Sequence, residues 1–327
     1  MTQPETIDTL ISSMSFNFKR KGEIFIMKVT QAVLDDIKRT TDQMRASDEK
    51  RDAGLPTEFP DVKRYDNISY GPAGEENLLD VYTPKDVTQS VPTIIDIHGG
   101  GNVYGSKELY QHYCLGWARH GFGVVNFNYR LAPQTIFPGA LKDTALVAKW
   151  VADHGQDYHL DTNNVFIIGD SAGGTLAYQY LTAYANPKYR KALGLVSSGQ
   201  LVVRGGALNS GFYFVKRPGA ITPDSLMSAY FTPEMMQKYD QELHTENYVT
   251  PDFPPVFVMT ANHDFLHDEG VRFDQFLLDH HLAHRFASFG TESDPREHVF
   301  QLNQRDAVAA KANQQQGEFF RSLFVEK

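Results

Sequence analysis

Ser171 sits in Val165-Phe166-Ile167-Ile168-Gly169-Asp170-Ser171-Ala172-Gly173-Gly174-Thr175-Leu176-Ala177. Here a run of β-branched and aromatic residues ends in Gly-x-Ser-x-Gly and passes directly into Ala/Leu/Tyr-rich sequence of helical character. The order strand, sharp turn, helix is that of a nucleophile elbow, which holds its central residue in a strained conformation with the side chain at the top of a sheet. Gly169, Ala172, Gly173 and Gly174 supply the small neighbours such a turn needs. A serine hydroxyl attacks a carbonyl only when a base takes its proton. A Gly-rich strand-to-helix turn also suits phosphate binding, so the remaining parts must be found elsewhere in the chain.

Two further stretches supply candidates. Asn262-His263-Asp264 and Glu297-His298-Val299-Phe300 each follow an apolar strand signal, so serine, acid and histidine occur in the order Ser171, Asp264, His298. In open α/β sheets the carboxyl ends of the strands converge on one rim, where residues distant in sequence meet. His98-Gly99-Gly100-Gly101 closes another buried strand, and three consecutive glycines leave backbone N–H groups unshielded, as a developing oxyanion requires. Competing residues fit other roles. Asp268 and Glu269 open a helix, where acids complement the dipole or form surface charge. His263 and His267 have i, i+4 spacing without the Glu expected of a helical zinc pair. His280, His281 and His284 read as a polar helix end.

The elements that must position these groups alternate. Strands are expected at 65–70, 77–82, 92–98, 123–129, 164–169, 193–196, 254–261 and 285–289. Helices are expected at 28–44, 109–120, 139–154, 175–184, 268–281 and 304–324. Strand-helix alternation with strands apolar on both faces predicts a mostly parallel sheet covered by helices, an α/β fold. The alternation breaks over about 201–250, rich in Phe212, Tyr213, Phe214, Met227, Tyr230, Phe231, Met235 and Met236. A long insertion of that kind is usually functional. Together with about 28–60 it is expected to cap the Ser171 site.

Taken together these blocks resemble the hormone-sensitive-lipase branch of the α/β-hydrolase serine esterases. His98-Gly99-Gly100-Gly101, Tyr129-Arg130-Leu131-Ala132-Pro133, Gly169-Asp170-Ser171-Ala172-Gly173-Gly174, Asp264-Phe265-Leu266-His267-Asp268-Glu269 and His298-Val299-Phe300 follow that family's order over about residues 65 to 310. The resemblance implies an α/β-hydrolase fold with a helical cap, and a serine carboxylesterase acting on short-chain acyl or small aryl esters through an acyl-enzyme. It implies Ser171 as nucleophile, His298 as general base and then acid, Asp264 as its orienting partner, and the N–H groups of Gly100, Gly101 and Ala172 as oxyanion hole. His98 and Gly99 would support the loop, and no cofactor or metal is implied. The chain departs from the pattern at Gln134, where an acid is common, at Val299, where glycine is usual, and at Asn102, where an apolar residue is usual. The departure at Asn102 bears on the polarity of the oxyanion loop. An amidase or formamidase would use the same triad, and a binding protein on this fold typically lacks one of its members.

The totals agree with a soluble globular enzyme: 327 residues, 41% hydrophobic, 22% charged, net charge -9. An acidic balance argues against a nucleic-acid or anionic-membrane surface. The expected partner is a small-molecule ester, with homo-oligomer formation left open. The single cysteine, Cys114, excludes an intramolecular disulfide and suits a reducing compartment, so a cytoplasmic location is expected. Residues 27–327 read as a single domain and 1–26 as an extension outside it. Lys21-Gly22-Glu23 ahead of Met27 could be encoded by a ribosome-binding sequence, which would make 1–26 a translated leader; an N-terminal arm is the other reading.

Overall fold

The computed structural model describes residues 30–325, together with the backbone of 16–20 and 23–27. The expectation that 1–26 are a translated leader falls largely outside these residues. There β1 (Phe16–Arg20) and β2 (Glu23–Met27), which ends one residue past that stretch, pair as an antiparallel hairpin.

The described residues contain one eight-stranded sheet. Its strands are β3 (Val62–Ser69), β4 (Leu78–Pro84), β5 (Val91–Ile97), β6 (Gly123–Phe127), β7 (Leu160–Asp170), β8 (Val203–Asn209), β9 (Val256–Ala261) and β10 (His284–Phe289). Their order across the sheet is β10-β9-β8-β7-β5-β6-β4-β3. From β5 to β10 all neighbours run parallel, whereas β3 and β4 form an antiparallel edge on β6. The β7 strand that leads to Ser171 lies centrally, between β5 and β8.

Burial explains why these strands read as unbroken apolar runs. Ile95 and Ile97 of β5 and Val165 and Ile167 of β7 belong to one buried cluster. Their alternates Ile94, Phe166 and Ile168 belong to another. Successive side chains point to opposite faces, so both faces of the sheet are covered. Each such side chain contributes roughly 1.5–3 kcal/mol on burial. The covering helices include α2 (Lys107–Arg119), α3 (Gly139–His154), α4 (Ala172–Ala185), α7 (His267–Asp279) and α8 (Ala307–Arg321). None of the described helices is long and apolar enough to cross a membrane.

One expected strand is wrong. Leu193–Val196 is not in the sheet; it follows the short helix α5 (Pro187–Ala192), with Gly194 in a left-handed turn. The strand next to β7 is Val203–Asn209, inside the segment expected to form the cap. Its sequence Val203-Arg204-Gly205-Gly206-Ala207 looks like a loop because glycine is a poor strand former. The neighbours require it here: a Cβ on Gly205 would meet the Pro255 carbonyl oxygen at 2.7 Å, and one on Gly206 the Ile167 carbonyl oxygen at 2.7 Å. The irregular insertion therefore starts at Ser210, not at 201.

The helix α1 (Gln31–Asp52) precedes the sheet and takes no part in it. It runs eight residues past the expected end near Met44, closing with Lys50 and Arg51 in its last turn, where the dipole favours cations. It packs against the single turn Leu226–Ala229 of the insertion. The insertion also carries the short helix α6 (Pro233–Lys238), and ring contacts of Phe137, two residues ahead of α3, with Tyr230, Phe231 and Tyr239 tie it to the rest of the fold.

Candidate active site

Ser171 stands between β7 and α4 with φ 52 and ψ -120, a conformation that costs a non-glycine residue about 1–3 kcal/mol. The surroundings hold it there. Its N–H donates to the Asn209 carbonyl of β8 (2.8 Å), and its carbonyl accepts from Thr175 N–H (3.1 Å) as the helix begins. The turn closes only around residues without side chains: a Cβ on Gly173 would lie 1.9 Å from the Ile97 carbonyl oxygen, and one on Gly169 would lie 2.2 Å from that of Gly173. The Gly-x-Ser-x-Gly pattern thus follows from close backbone approach.

Asp264 and His298 come together as the sequence order suggested. His298 Nδ1 donates to Asp264 Oδ1 at 2.7 Å, which leaves Nε2 free for a substrate or nucleophile. Asp264 lies just past β9, its side chain fully buried. Burial alone pushes the carboxyl up, but hydrogen bonds and charge from His298, with donors from Ser210 and Leu266, outweigh it and hold Asp264 below the usual carboxylate range. Leu266 N–H donates to Oδ1 (2.8 Å) and the Thr260 hydroxyl to Oδ2 (3.0 Å). Val299, in the place where the resembled family has glycine, adopts φ 53 and ψ 32. The left-handed conformation explains the family's preference, and this chain imposes it on a β-branched residue.

The glycine loop follows β5. Gly100 has φ 107 and Gly101 φ 62. The Gly100 carbonyl accepts from Val103 N–H (3.1 Å) and Tyr104 N–H (3.0 Å), so the loop folds back on itself. His98 is buried beneath it, stacked on Tyr129 at 4.0 Å, with Nδ1 donating to the Gly99 carbonyl at 2.8 Å. Burial holds its pKa down at about 4, so the ring is neutral. Asn102 adopts φ 61, which asparagine tolerates better than most residues. Its side chain is buried and is not among the residues lining the cavity at Ser171.

Sequence reasoning missed a chain of contacts that joins the elbow to this loop. The Gly99 N–H donates to the Tyr110 hydroxyl (2.8 Å), which donates to Asp170 Oδ2 (2.8 Å). Asp170 is buried, and desolvation pushes its pKa up to about 7 against the lowering effects of Tyr110 and His298. An acid at the end of an apolar strand was a visible signal for Asp170. Nothing in the sequence marks Tyr110, which occupies an ordinary apolar helix position.

A cavity of about 280 Å³ gathers these parts, lined by Gly99, Gly100, Asp170, Ser171 and His298. Helix α1 adds Met44, Ser47, Asp48 and Arg51, and Phe265, Val299 and Leu302 also line it. Arg51 is held by Asp48 (2.7 Å) and Asp52 (2.6 Å), which keep it charged. Burial raises the Asp48 carboxyl above its ordinary range. Of the competing residues, Glu269 is buried and paired with Arg217 (2.8 Å) rather than exposed, whereas Asp268 is exposed. Among the described residues no group of three or more metal-binding side chains occurs.

This geometry and the comparisons with known proteins agree. A model of the α/β-hydrolase fold family matches residues 94–291, more than half of the chain, and the protein belongs to that family. The matched span contains Ser171 and Asp264. Among curated relatives, esterase LipI of Mycobacterium tuberculosis is 27% identical over 242 residues, covering 69% of this chain and 72% of its own. An acetyl esterase of Salmonella paratyphi B is 26% identical over 212 residues, covering 61% of this chain and 63% of its own, so the match spans less than two thirds of that relative. Esterase B from Lactobacillus rhamnosis superimposes with a TM-score of 0.81 at 24% identity, over 90% of this chain and 95% of that one. At that identity the likeness speaks for the fold.

Proposed function

We propose that the protein is a serine carboxylesterase that hydrolyses short-chain esters through an acyl-enzyme. The observation that carries this is the convergence, in one cavity, of a serine held at φ 52, a histidine bonded at 2.7 Å to a buried carboxylate, and a glycine loop with φ 107 at Gly100. Ser171 Oγ attacks the ester carbonyl while His298 Nε2 takes its proton. His298 then gives that proton to the departing alcohol oxygen and afterwards activates water to release the acid. Asp264 fixes the imidazole tautomer and stabilises the imidazolium. The N–H groups of Gly100, Gly101 and Ala172 receive the oxyanion, where each such donor is worth about 3 kcal/mol. His98 and Gly99 hold the loop, with Tyr110 and Asp170 beneath. The scheme runs on these groups alone.

The small cavity supports a small ester, since about 280 Å³ lies just below the usual range for small-molecule sites. The name of one relative, acetyl esterase, points the same way. Helix α1 and the insertion from Ser210 to about 250 act as the cap of a single domain, and the buried Cys114, outside any disulfide, suits a cytoplasmic setting. Hydrolysis of p-nitrophenyl esters from acetate to long acyl chains, beside acetanilide as an amide, tests the reading. Turnover peaking at acetate or butyrate and negligible on the amide is expected. A folded protein that cleaves the amide and none of the esters would overturn it.

A further inference from the structure

Phe265 directly follows the buried carboxylate, yet its side chain is 77% exposed. Its ring centroid lies 4.3 Å from that of His298, tilted by 40°. It also lines the Ser171 cavity, together with Val299, Leu302 and, from α1, Met44. The neighbouring Leu266 N–H is bonded to Asp264, which anchors the turn that presents the ring. A solitary exposed aromatic on a surface needs no explanation. This one forms part of a site wall and touches the imidazole on which the reaction turns.

The chemistry decides which side of the substrate it meets. When Ser171 Oγ bonds to the carbonyl carbon, the proton passes to His298; as the bond from that carbon to the alcohol oxygen breaks, the proton passes on to that oxygen. The departing alcohol must therefore lie against the imidazole. A ring lying against that imidazole, tilted by 40°, is therefore placed to meet the alcohol part of the ester rather than the acyl part.

We propose that Phe265 is a specificity-determining residue that favours esters of flat, apolar alcohols, phenols above all, over esters of small alkyl alcohols. The inference rests on the esterase reading above. A phenyl leaving group covers the exposed ring in an offset or edge-to-face contact, and an ethyl group covers little of it.

Phenyl acetate and ethyl acetate test this cleanly, because both give the same acetyl-enzyme and differ only in the first half of the reaction. The ratio of kcat/KM for phenyl acetate to that for ethyl acetate is measured in the wild type, Phe265→Ala and Phe265→Tyr. Intrinsic leaving-group reactivity cancels in the comparison between variants. In Phe265→Ala the ratio is expected to fall about fivefold, the order of one lost aromatic contact, with the change in KM for the phenyl ester. Phe265→Tyr should keep it. A ratio unchanged or raised in Phe265→Ala, even with both activities lowered, would mean that the ring only supports His298 and would overturn the proposal. Absence of wild-type turnover on both esters would instead count against the esterase reading itself.

Discussion

Gly100→Ala probes the glycine loop, to which the oxyanion site is assigned, at a position with little room for a side chain. The residue has φ 107, a backbone conformation that alanine adopts only under strain, at a cost of about 1–3 kcal/mol. Space is the harder limit. The new methyl would lie 2.1 Å from the Tyr104 carbonyl oxygen, 2.6 Å from its carbon and 3.2 Å from Gly105 N. All three are backbone atoms, and Gly100 is tied to that segment through its own carbonyl bonds to Val103 and Tyr104. The loop must move by roughly 1 Å to admit the methyl, and a misplacement of that size costs about 10²-fold in rate. Since the N–H groups of Gly100 and Gly101 are assigned to the developing oxyanion, the loss should fall on kcat rather than KM. The assay is kcat and KM on p-nitrophenyl acetate, with circular dichroism to confirm folding. Gly74→Ala serves as control: its φ is +61, but nothing lies within 4 Å of the added atom. A folded Gly100→Ala protein with kcat within threefold of wild type would refute the assignment of the oxyanion site to this loop.

Two further substitutions read the groups behind the site. Asp264→Asn keeps the shape but removes the acceptor that fixes the His298 tautomer, and kcat should fall about 10⁴-fold with folding retained; a loss below tenfold would remove Asp264 from its role. Asp170 bears on stability. Its folded pKa of about 7 lies above the ordinary carboxyl value, so between about pH 4 and 7 the folded state binds more protons than the unfolded one. Stability contributed by this group is therefore full at low pH and lost as pH rises through that window. The difference in melting temperature between Asp170→Asn and wild type should move in favour of the variant from pH 5 to pH 8; a constant difference would show that Asp170 stays ionised.

The parts of the fold most readable in the sequence are those where local pattern and burial agree. Helix α3 at Gly139–His154 has the expected limits, and β5, β7 and β9 announce themselves by apolar runs. The strand β8 was not legible because its glycines answer to neighbouring carbonyls, a tertiary demand that outweighs strand propensity. The same division holds for the site. Ser171, Asp264 and His298 sit on backbone features with strong local signatures, and the structure places them in one cavity or in direct contact. Tyr110, Thr260 and the α1 residues Met44, Ser47, Asp48 and Arg51 reach the site or its supports only through packing across the fold. Periodicity shows α1 as an amphipathic helix but not which of its faces meets the cavity.

The central claim is that Ser171 is the nucleophile, and its most direct test is covalent trapping. An organophosphate ester such as diethyl p-nitrophenyl phosphate transfers its phosphoryl group to an activated serine and releases p-nitrophenol, leaving an adduct that peptide mass spectrometry can place. The account predicts one equivalent of adduct, located on Ser171, formed in step with loss of esterase activity and absent in Ser171→Ala. Complete inactivation with the adduct on another residue, or full esterase activity in Ser171→Ala, would contradict it.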